Sequence, residues 1–308
     1  MKLLKDLGEL ELVRQFSKTY IPGKDTVVGI GDDCSVIDLG VRGEYLLFTC
    51  DAIVEDVHFR RKEASGFKIG WKAICAGVSD IAAMGGIPVS AVVTLALPAS
   101  LSAVYTEDIT KGLQAAAKKC DIDISGGDTV GSPESIMISV AVVGKVKKKG
   151  MVLRNGACPG DKILVTGALG GSIIKKQFEF VPRIREAHWL VSNFRINSMM
   201  DITDGLSLDL ARINSASGVG AVLYEECIPV SKDAKKCANS LMHALNDGED
   251  YELLFTTKDA DKIVKNWIFS DVQISVIGEI TEKQGKIFMV DKNKKVRNII
   301  PKGYEHFK

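Results

Sequence analysis

The 308-residue chain has none of the familiar ligand clusters and fingerprints. Its cysteines, Cys34, Cys50, Cys75, Cys120, Cys158, Cys227 and Cys237, are odd in number and contain no C-x-x-C pair. They read as reduced thiols of a cytosolic protein rather than a disulfide framework. Charge of one sign is also missing: Lys+Arg 40 against Asp+Glu 39 leaves a net charge of +1, so neither nucleic acid nor an anionic membrane is expected as a bulk partner. Every apolar stretch is interrupted well before the ~20 residues that a membrane-spanning helix needs. The start, MKLLKDLGELELVRQF, interleaves acidic and apolar residues at helical spacing, where a secretory signal would show an unbroken apolar run. A cytoplasmic protein is therefore expected. Gly29-Ile30-Gly31-Asp32-Asp33 does not complete G-x-G-x-x-G, and no G-x-x-x-x-G-K-[ST] occurs, which excludes Rossmann and Walker modes of nucleotide binding.

Aspartates beside glycines or small polar residues are what the chain does have. They recur at Gly31-Asp32-Asp33, Thr49-Cys50-Asp51, Ser79-Asp80, Gly126-Gly127-Asp128-Thr129, Asp201-Ile202-Thr203-Asp204-Gly205 and Gly248-Glu249-Asp250. Carboxylates at the ends of strands and helices, without a Cys/His cluster, suit hard cations and a polyphosphate.

Length and a hydrophobic fraction of 46% favour two domains with substantial cores. Strand-like and helix-like segments alternate, which argues for mixed α/β layers. Strands are expected over 45–50, 89–97 and 135–143, and helices over 67–84 and 107–120. The pattern restarts after Lys145-Val146-Lys147-Lys148-Lys149-Gly150, a run read as a solvated turn between domains in preference to a nucleic-acid patch. That division gives domains over 1–148 and 149–308. Beyond it, strands are expected over 162–166, 198–202, 219–224, 250–256 and 272–279, with helices over 206–217 and 231–239.

Asp33, Asp51 and Asp80 fall at expected junctions between elements, where a turn exposes a short side chain. Asp80 and Asp204 also fit helix N-caps, and both readings stand. Gly126-Gly127-Asp128-Thr129 follows a short apolar strand over 122–125; paired glycines let backbone approach a bulky anion, and a structural turn uses the same letters. Gly167 to Ser172 fits a helix-end anion site or a tight turn. His58 is a candidate phosphate contact or a structural histidine. Arg154 could clamp a phosphate with its planar fork or pair with a nearby carboxylate.

Taken in order, Gly29 to Cys34, Thr49-Cys50-Asp51 with His58-Phe59, Val78 to Gly85, Gly126 to Thr129, Arg154 to Ala157 with Pro159-Gly160-Asp161, Asp201 to Leu206, Gly248 to Leu253 and the closing Lys302 to Phe307 resemble the motifs of the thiamine-monophosphate kinase family. This family lies in the aminoimidazole-ribonucleotide synthetase-like superfamily, and the resemblance runs along essentially the whole chain. It implies a two-domain α/β (α+β) fold, with an N-terminal mixed sheet and helices that pair in a homodimer, and a C-terminal α/β domain. It also implies ATP-dependent phosphorylation of thiamine monophosphate to thiamine diphosphate with several Mg²⁺ ions, by direct in-line transfer without a phosphoenzyme. By motif position Asp33, Thr49, Cys50, Asp51, Asp80, Asp128, Asp201 and Asp204 would form the metal sites. Gly127, Arg154 and Thr203 would contact ATP, and His58, Glu249 and Tyr304 the thiamine phosphate.

The chain departs from the family pattern in three places. Cys50 stands where a second hydroxyl is expected beside Thr49, and because a thiol is a poor Mg²⁺ ligand, only its backbone carbonyl would coordinate. Val130-Gly131 follows Thr129 where the family often has Thr-Arg, and the segment between Gly171 and Ser198 is short. Other ATP-using members of the superfamily, selenophosphate synthetase and the hydrogenase-maturation dehydratase, carry reactive cysteines near one terminus that this chain lacks. A nucleotide-binding regulatory module is the alternative from a different class.

Overall fold

The computed structural model describes residues 3–307. Its first sheet contains β1 (Thr26–Val28), β2 (Ser35–Ile37), β3 (Glu44–Val54), β4 (Ile87–Pro98), β5 (Asp123–Ser132) and β6 (Met137–Lys147), in the order β1-β2-β3-β6-β4-β5. Only the β4–β5 pair is parallel. The second sheet contains β7 (Lys162–Thr166), β8 (Ser198–Asp201), β9 (Gly220–Tyr224), β10 (Leu253–Thr257), β11 (Ile274–Thr281), β12 (Ile287–Val290) and β13 (Val296–Ile299), ordered β13-β12-β9-β11-β7-β10-β8. The helices are α1 (Leu4–Leu7), α2 (Glu9–Thr19), α3 (Gly66–Ala83), α4 (Ala103–Lys119), α5 (Ile184–Asn193), α6 (Leu206–Ser217), α7 (Ser240–Asn246) and α8 (Ala260–Asn266).

Helix α3 organises the molecule. Ser65 caps its start by accepting from the Lys68 N–H, and its residues are apolar almost all round, as befits a helix enclosed on every side. It lies beside α4 on one face of the first sheet, and the two helices approach closely. A Cβ at Gly70 would stand 2.2 Å from the Ile109 carbonyl oxygen, and one at Gly112 2.0 Å from that of Phe67. The far end of α3 belongs to the other half: Ala82 sits in a core cluster with Val152, Leu164, Leu190 and Phe255. One buried helix thus joins the two sheets, and its last turns carry side chains into the space between them.

The opposite face of the first sheet is bare. Phe48, Val92 and Val130, on β3, β4 and β5, are 42%, 44% and 44% exposed. No helix among the described residues is long and apolar enough to cross a membrane.

Most expected elements appear, and two differ. The segment expected as a helix over 231–239 holds only a single 3₁₀ turn, Ala234–Lys236, with α7 following. Ser231 starts that turn, its hydroxyl accepting from the Ala234 N–H at 3.0 Å while donating to the Gly170 carbonyl at 2.5 Å, and its N–H donates to that of Leu169 at 2.9 Å. Asn239, at φ 57°, then breaks the chain direction. The second difference is Gly126 to Thr129, which form no loop but continue β5, where Gly127 pairs with Val93 and Asp128 with Thr94. A Cβ at Gly127 would lie 1.8 Å from the Val93 carbonyl oxygen, so here glycine permits strand contact.

Candidate active site: an acidic cluster between the two halves

Asp33, Asp80 and Asp201 each present a carboxylate oxygen within 4.8 Å of the others. Asp33 comes from the turn before β2, Asp80 from the last turn of α3, and Asp201 from the end of β8. Thr49 on β3 donates its hydroxyl to Asp80 at 2.6 Å, and Ser79 donates to Asp201. Strand alternation turns Thr49 and Asp51 to the same side of β3. Asp51 therefore sits in mid-strand rather than at a junction, and Asp80 lies at the C-terminal end of its helix, where it cannot be an N-cap. The Asp204 cap reading also fails: the N–H groups of Thr203, Asp204 and Gly205 all donate to Asp209, each at 3.1 Å.

At an effective dielectric constant of ~20, two full charges 4.8 Å apart repel by about 3 kcal/mol. With three such pairs, the repulsion is comparable to the whole stability of an ordinary domain. The carboxyl groups respond accordingly. Burial, followed by the charges of Asp33 and Glu249, raises Asp51 to about 6. Asp80 and Asp201 are pushed well above the usual carboxylate range, by burial first and then by neighbouring aspartates. Burial also raises Asp32 to about 6.

Two arginines offset part of this charge. Arg154 approaches Asp33 at 2.5 Å through Nη2 and 3.2 Å through Nε, while its backbone N–H donates to Asp32 at 3.1 Å. Arg212, on α6, spans Asp204 and Asp209 at 2.5 Å each. Within the cluster, Asp33 Oδ2 is buried without a hydrogen-bond partner. An all-oxygen donor set with an orphaned buried carboxylate oxygen fits a hard cation such as Mg²⁺.

The cluster opens into a cleft of about 880 Å³. Thr203 and Asp204 line it from the turn after β8, Glu249 from the turn before β10, His58 from the loop after β3, and Tyr304 from the C-terminal segment. The 248–250 turn packs on the 203–205 turn. Glu249 N–H donates to the Thr203 carbonyl at 2.7 Å and Tyr251 N–H to that of Ile202 at 2.8 Å. Gly248, at φ 73°, has no room for a Cβ, which would lie 2.4 Å from the Thr203 carbonyl oxygen. Glu249 and Tyr251 themselves adopt positive φ values of 57° and 49°, a strain that persists only where surrounding contacts impose it. Across the cleft the Val54 N–H donates to His58 Nδ1 at 3.0 Å. Burial, then the charges of Lys72 and His306, lower this imidazole to about 4. The neutral ring therefore carries its proton on Nε2.

The single chain does not bring every expected residue together. Gly127 and Asp128 line a separate groove of about 1150 Å³ between α4 and β5. Cys50 borders the main cleft, but its Sγ lies 3.4 Å from Ser139 Oγ. Lys72, Gln177, Asp209 and Arg212 at the site escaped the sequence reading. The first had a signal, as a charge in the apolar middle of a helix; the others are ordinary letters of their segments.

Comparison with known proteins fits this geometry. Residues 31–146 match the model of the AIR synthase related protein, N-terminal domain, and residues 175–291 that of the AIR synthase related protein, C-terminal domain. The fold and site therefore define a two-domain protein of the AIR synthase related class. Within it, thiamine-monophosphate kinase of Rhodopirellula baltica is 35% identical, with 91% of each chain covered. That of Aquifex aeolicus is 34% identical, with 99% of each covered. The chain belongs to the thiamine-monophosphate kinase family. The solved structure of AaThiL complexed with AMPPCP and TMP superimposes with a TM-score of 0.85 at 31% identity over 99% of both chains. Escherichia coli HypE, a hydrogenase maturation protein, is 20% identical at a TM-score of 0.73, with 95% of this chain and 97% of its own covered, and shares the fold alone.

The raised carboxyl groups make stability depend on pH. A group whose folded pKa lies above its unfolded value stabilises fully below the unfolded value and loses that contribution as pH rises through the folded one. Asp51 at about 6, Asp209 at about 7 through burial, and Asp80 and Asp201 higher still, all act in this direction. His58 acts oppositely, but only below its ordinary pKa near ~6.5. Chelator-treated protein should thus lose several degrees of thermal midpoint between pH ~6.5 and ~8.5. A midpoint that rises across this interval in calorimetry contradicts the electrostatic description.

Proposed function

We propose that this protein is a cytoplasmic enzyme that transfers the γ-phosphate of ATP to thiamine monophosphate, giving thiamine diphosphate. The observation that carries the proposal is the convergence of Asp33, Asp51, Asp80 and Asp201, from both halves of a member of the family, on one cleft. Residues 1–148 supply most of the metal and nucleotide contacts, and 149–308 close the cleft from the other side.

Both reactants are phosphates. The acceptor monoester has a second pKa near ~6 and is largely dianionic at neutral pH, so it needs no strong general base. Transfer through a loose in-line transition state rests on positioning and relief of charge repulsion. Bound Mg²⁺ ions, held by Asp33, Thr49, Asp51, Asp80, Asp201 and Asp204, would supply that relief between the two anions. Arg154 is set to leave Asp33 for a phosphate, because its planar fork suits either partner. Thr203 reaches the same space from the adjoining turn. His58 offers Nε2–H and Tyr304 its hydroxyl to the phosphate of thiamine monophosphate, and the Glu249 carboxylate, which only accepts, faces the cationic thiamine part of the same molecule.

Gly127 and Asp128 are assigned to the nucleotide and its metal as well. Their distance from the cluster of their own chain is accounted for by a homodimer formed across the bare face of the first sheet, whose exposed Phe48, Val92 and Val130 a second copy would cover. Light scattering should give twice the 33.3 kDa chain mass. A monomer at micromolar concentration would contradict the pairing.

Incubation of the pure protein with Mg²⁺, ATP and thiamine monophosphate should yield thiamine diphosphate and ADP in equal amounts. Asp80→Asn should lower kcat by about 100-fold or more with the fold retained. Binding of ATP without product would replace the kinase with a regulatory module, and a stable phosphoprotein during turnover would rule out direct transfer.

A further inference from the structure

Lys72 is fully buried, with its side chain 0% exposed, in the middle of α3. A buried ammonium loses several kcal/mol of hydration and regains it only through well-placed partners. The Lys72 ammonium makes two hydrogen bonds and one ion pair. Nζ donates to the His58 carbonyl at 3.0 Å and to Gln177 Oε1 at 2.8 Å, and it pairs with the Glu249 carboxylate at 2.9 Å. It also lies 5.5 Å from the centre of the Phe178 ring. The three partners come from separate segments: the loop after β3, the 3₁₀ turn Lys176–Phe178, and the 248–250 turn. All three line the cleft, whereas Lys72 stands behind it. Replacing a buried ion pair by apolar residues is often neutral or stabilising. Fold stability alone therefore does not explain a cation here, whereas fixing the relative places of three cleft segments does. Glu249, at φ 57°, is the member whose backbone most needs an outside hold.

We infer that Lys72 is a positioning residue for the acceptor side of the site: from behind the cleft wall it sets His58, Gln177 and Glu249 at the spacing that receives the thiamine phosphate, and it does not serve the nucleotide. The inference rests on the function proposed above. The ammonium touches the acceptor side directly, and reaches Thr203 only through the backbone of Glu249.

Lys72→Met keeps the length of the side chain and removes the charge. In the folded variant, KM for thiamine monophosphate should rise about tenfold or more while KM for ATP stays within about twofold. If this variant does not fold, Lys72→Gln, which also removes the charge but keeps a hydrogen-bonding amide, takes its place with the same expected split. A second readout needs no turnover. His58, held near 4 in part by the Lys72 charge, should titrate at higher pH in the variant when its imidazole is followed by NMR. Equal changes in both KM values, or an unchanged KM for thiamine monophosphate, would overturn the inference. Failure of the unmodified protein to phosphorylate thiamine monophosphate would instead overturn the proposed function. The imidazole titration then decides the place of Lys72, and an unchanged His58 would refute it.

Discussion

Mutual repulsion among buried carboxylates governs what the cleft between the two halves must accommodate. Asp33, Asp80 and Asp201 stand within 4.8 Å of one another, with Asp51 close enough to raise and be raised by its neighbours. Such a group persists only if protons or cations take up the charge. In the protein alone, raised pKa values and the guanidinium of Arg154 take up part of it. The oxygen of Asp33 that has no partner marks where a cation is still wanted. A site with this electrostatic history is matched to reactants that bring cations with them, as a nucleoside triphosphate does.

The fold supplies the rigidity that this repulsion demands. Helix α3 is wedged between the first sheet, α4 and the second half, and its glycines bring α4 to within backbone contact. Asp80 and Ser79 leave its last turns toward Thr49 of β3 and Asp201 of β8, and Lys72 leaves it two turns earlier toward His58, Gln177 and Glu249. One helix thus holds both the aspartate cluster and the far wall of the cleft. The second half contributes turns rather than elements: the 203–205 turn is held by Asp209, and the 248–250 turn is clamped on top of it by Gly248 and by hydrogen bonds to Ile202 and Thr203.

Much of this was legible in the sequence, for identifiable reasons. Strongly periodic or apolar segments with clear ends were read closely: β7 over 162–166 and α6 over 206–217 have the expected bounds. Over 231–239 a helical start does form from Ser231, but the backbone turns extended at Cys237 and left-handed at Asn239 before α7 begins, a path that no window of sequence contains. Gly126 to Thr129 misled because the same letters serve a turn or a crowded strand. For the site, motif order assembled the aspartates, but only the fold shows which of them meet within one chain. Asp51 is expected at a junction, yet β3 runs on to Val54, whereas Asp80 does lie at an element end, in the last turn of α3. Lys72 was visible as a charge in an apolar helix, and its meaning came only from three partners more than ten residues away in sequence.

A cation site shared by both halves of the chain at the carboxylate cluster is tested by counting bound Mn²⁺ by electron paramagnetic resonance, with a non-hydrolysable ATP analogue present. More ions per chain than the nucleotide alone retains are expected, with loss of that excess in both Asp33→Asn and Asp201→Asn, one from each half. An ion count equal to that of the free nucleotide, or one that neither substitution changes, would contradict it.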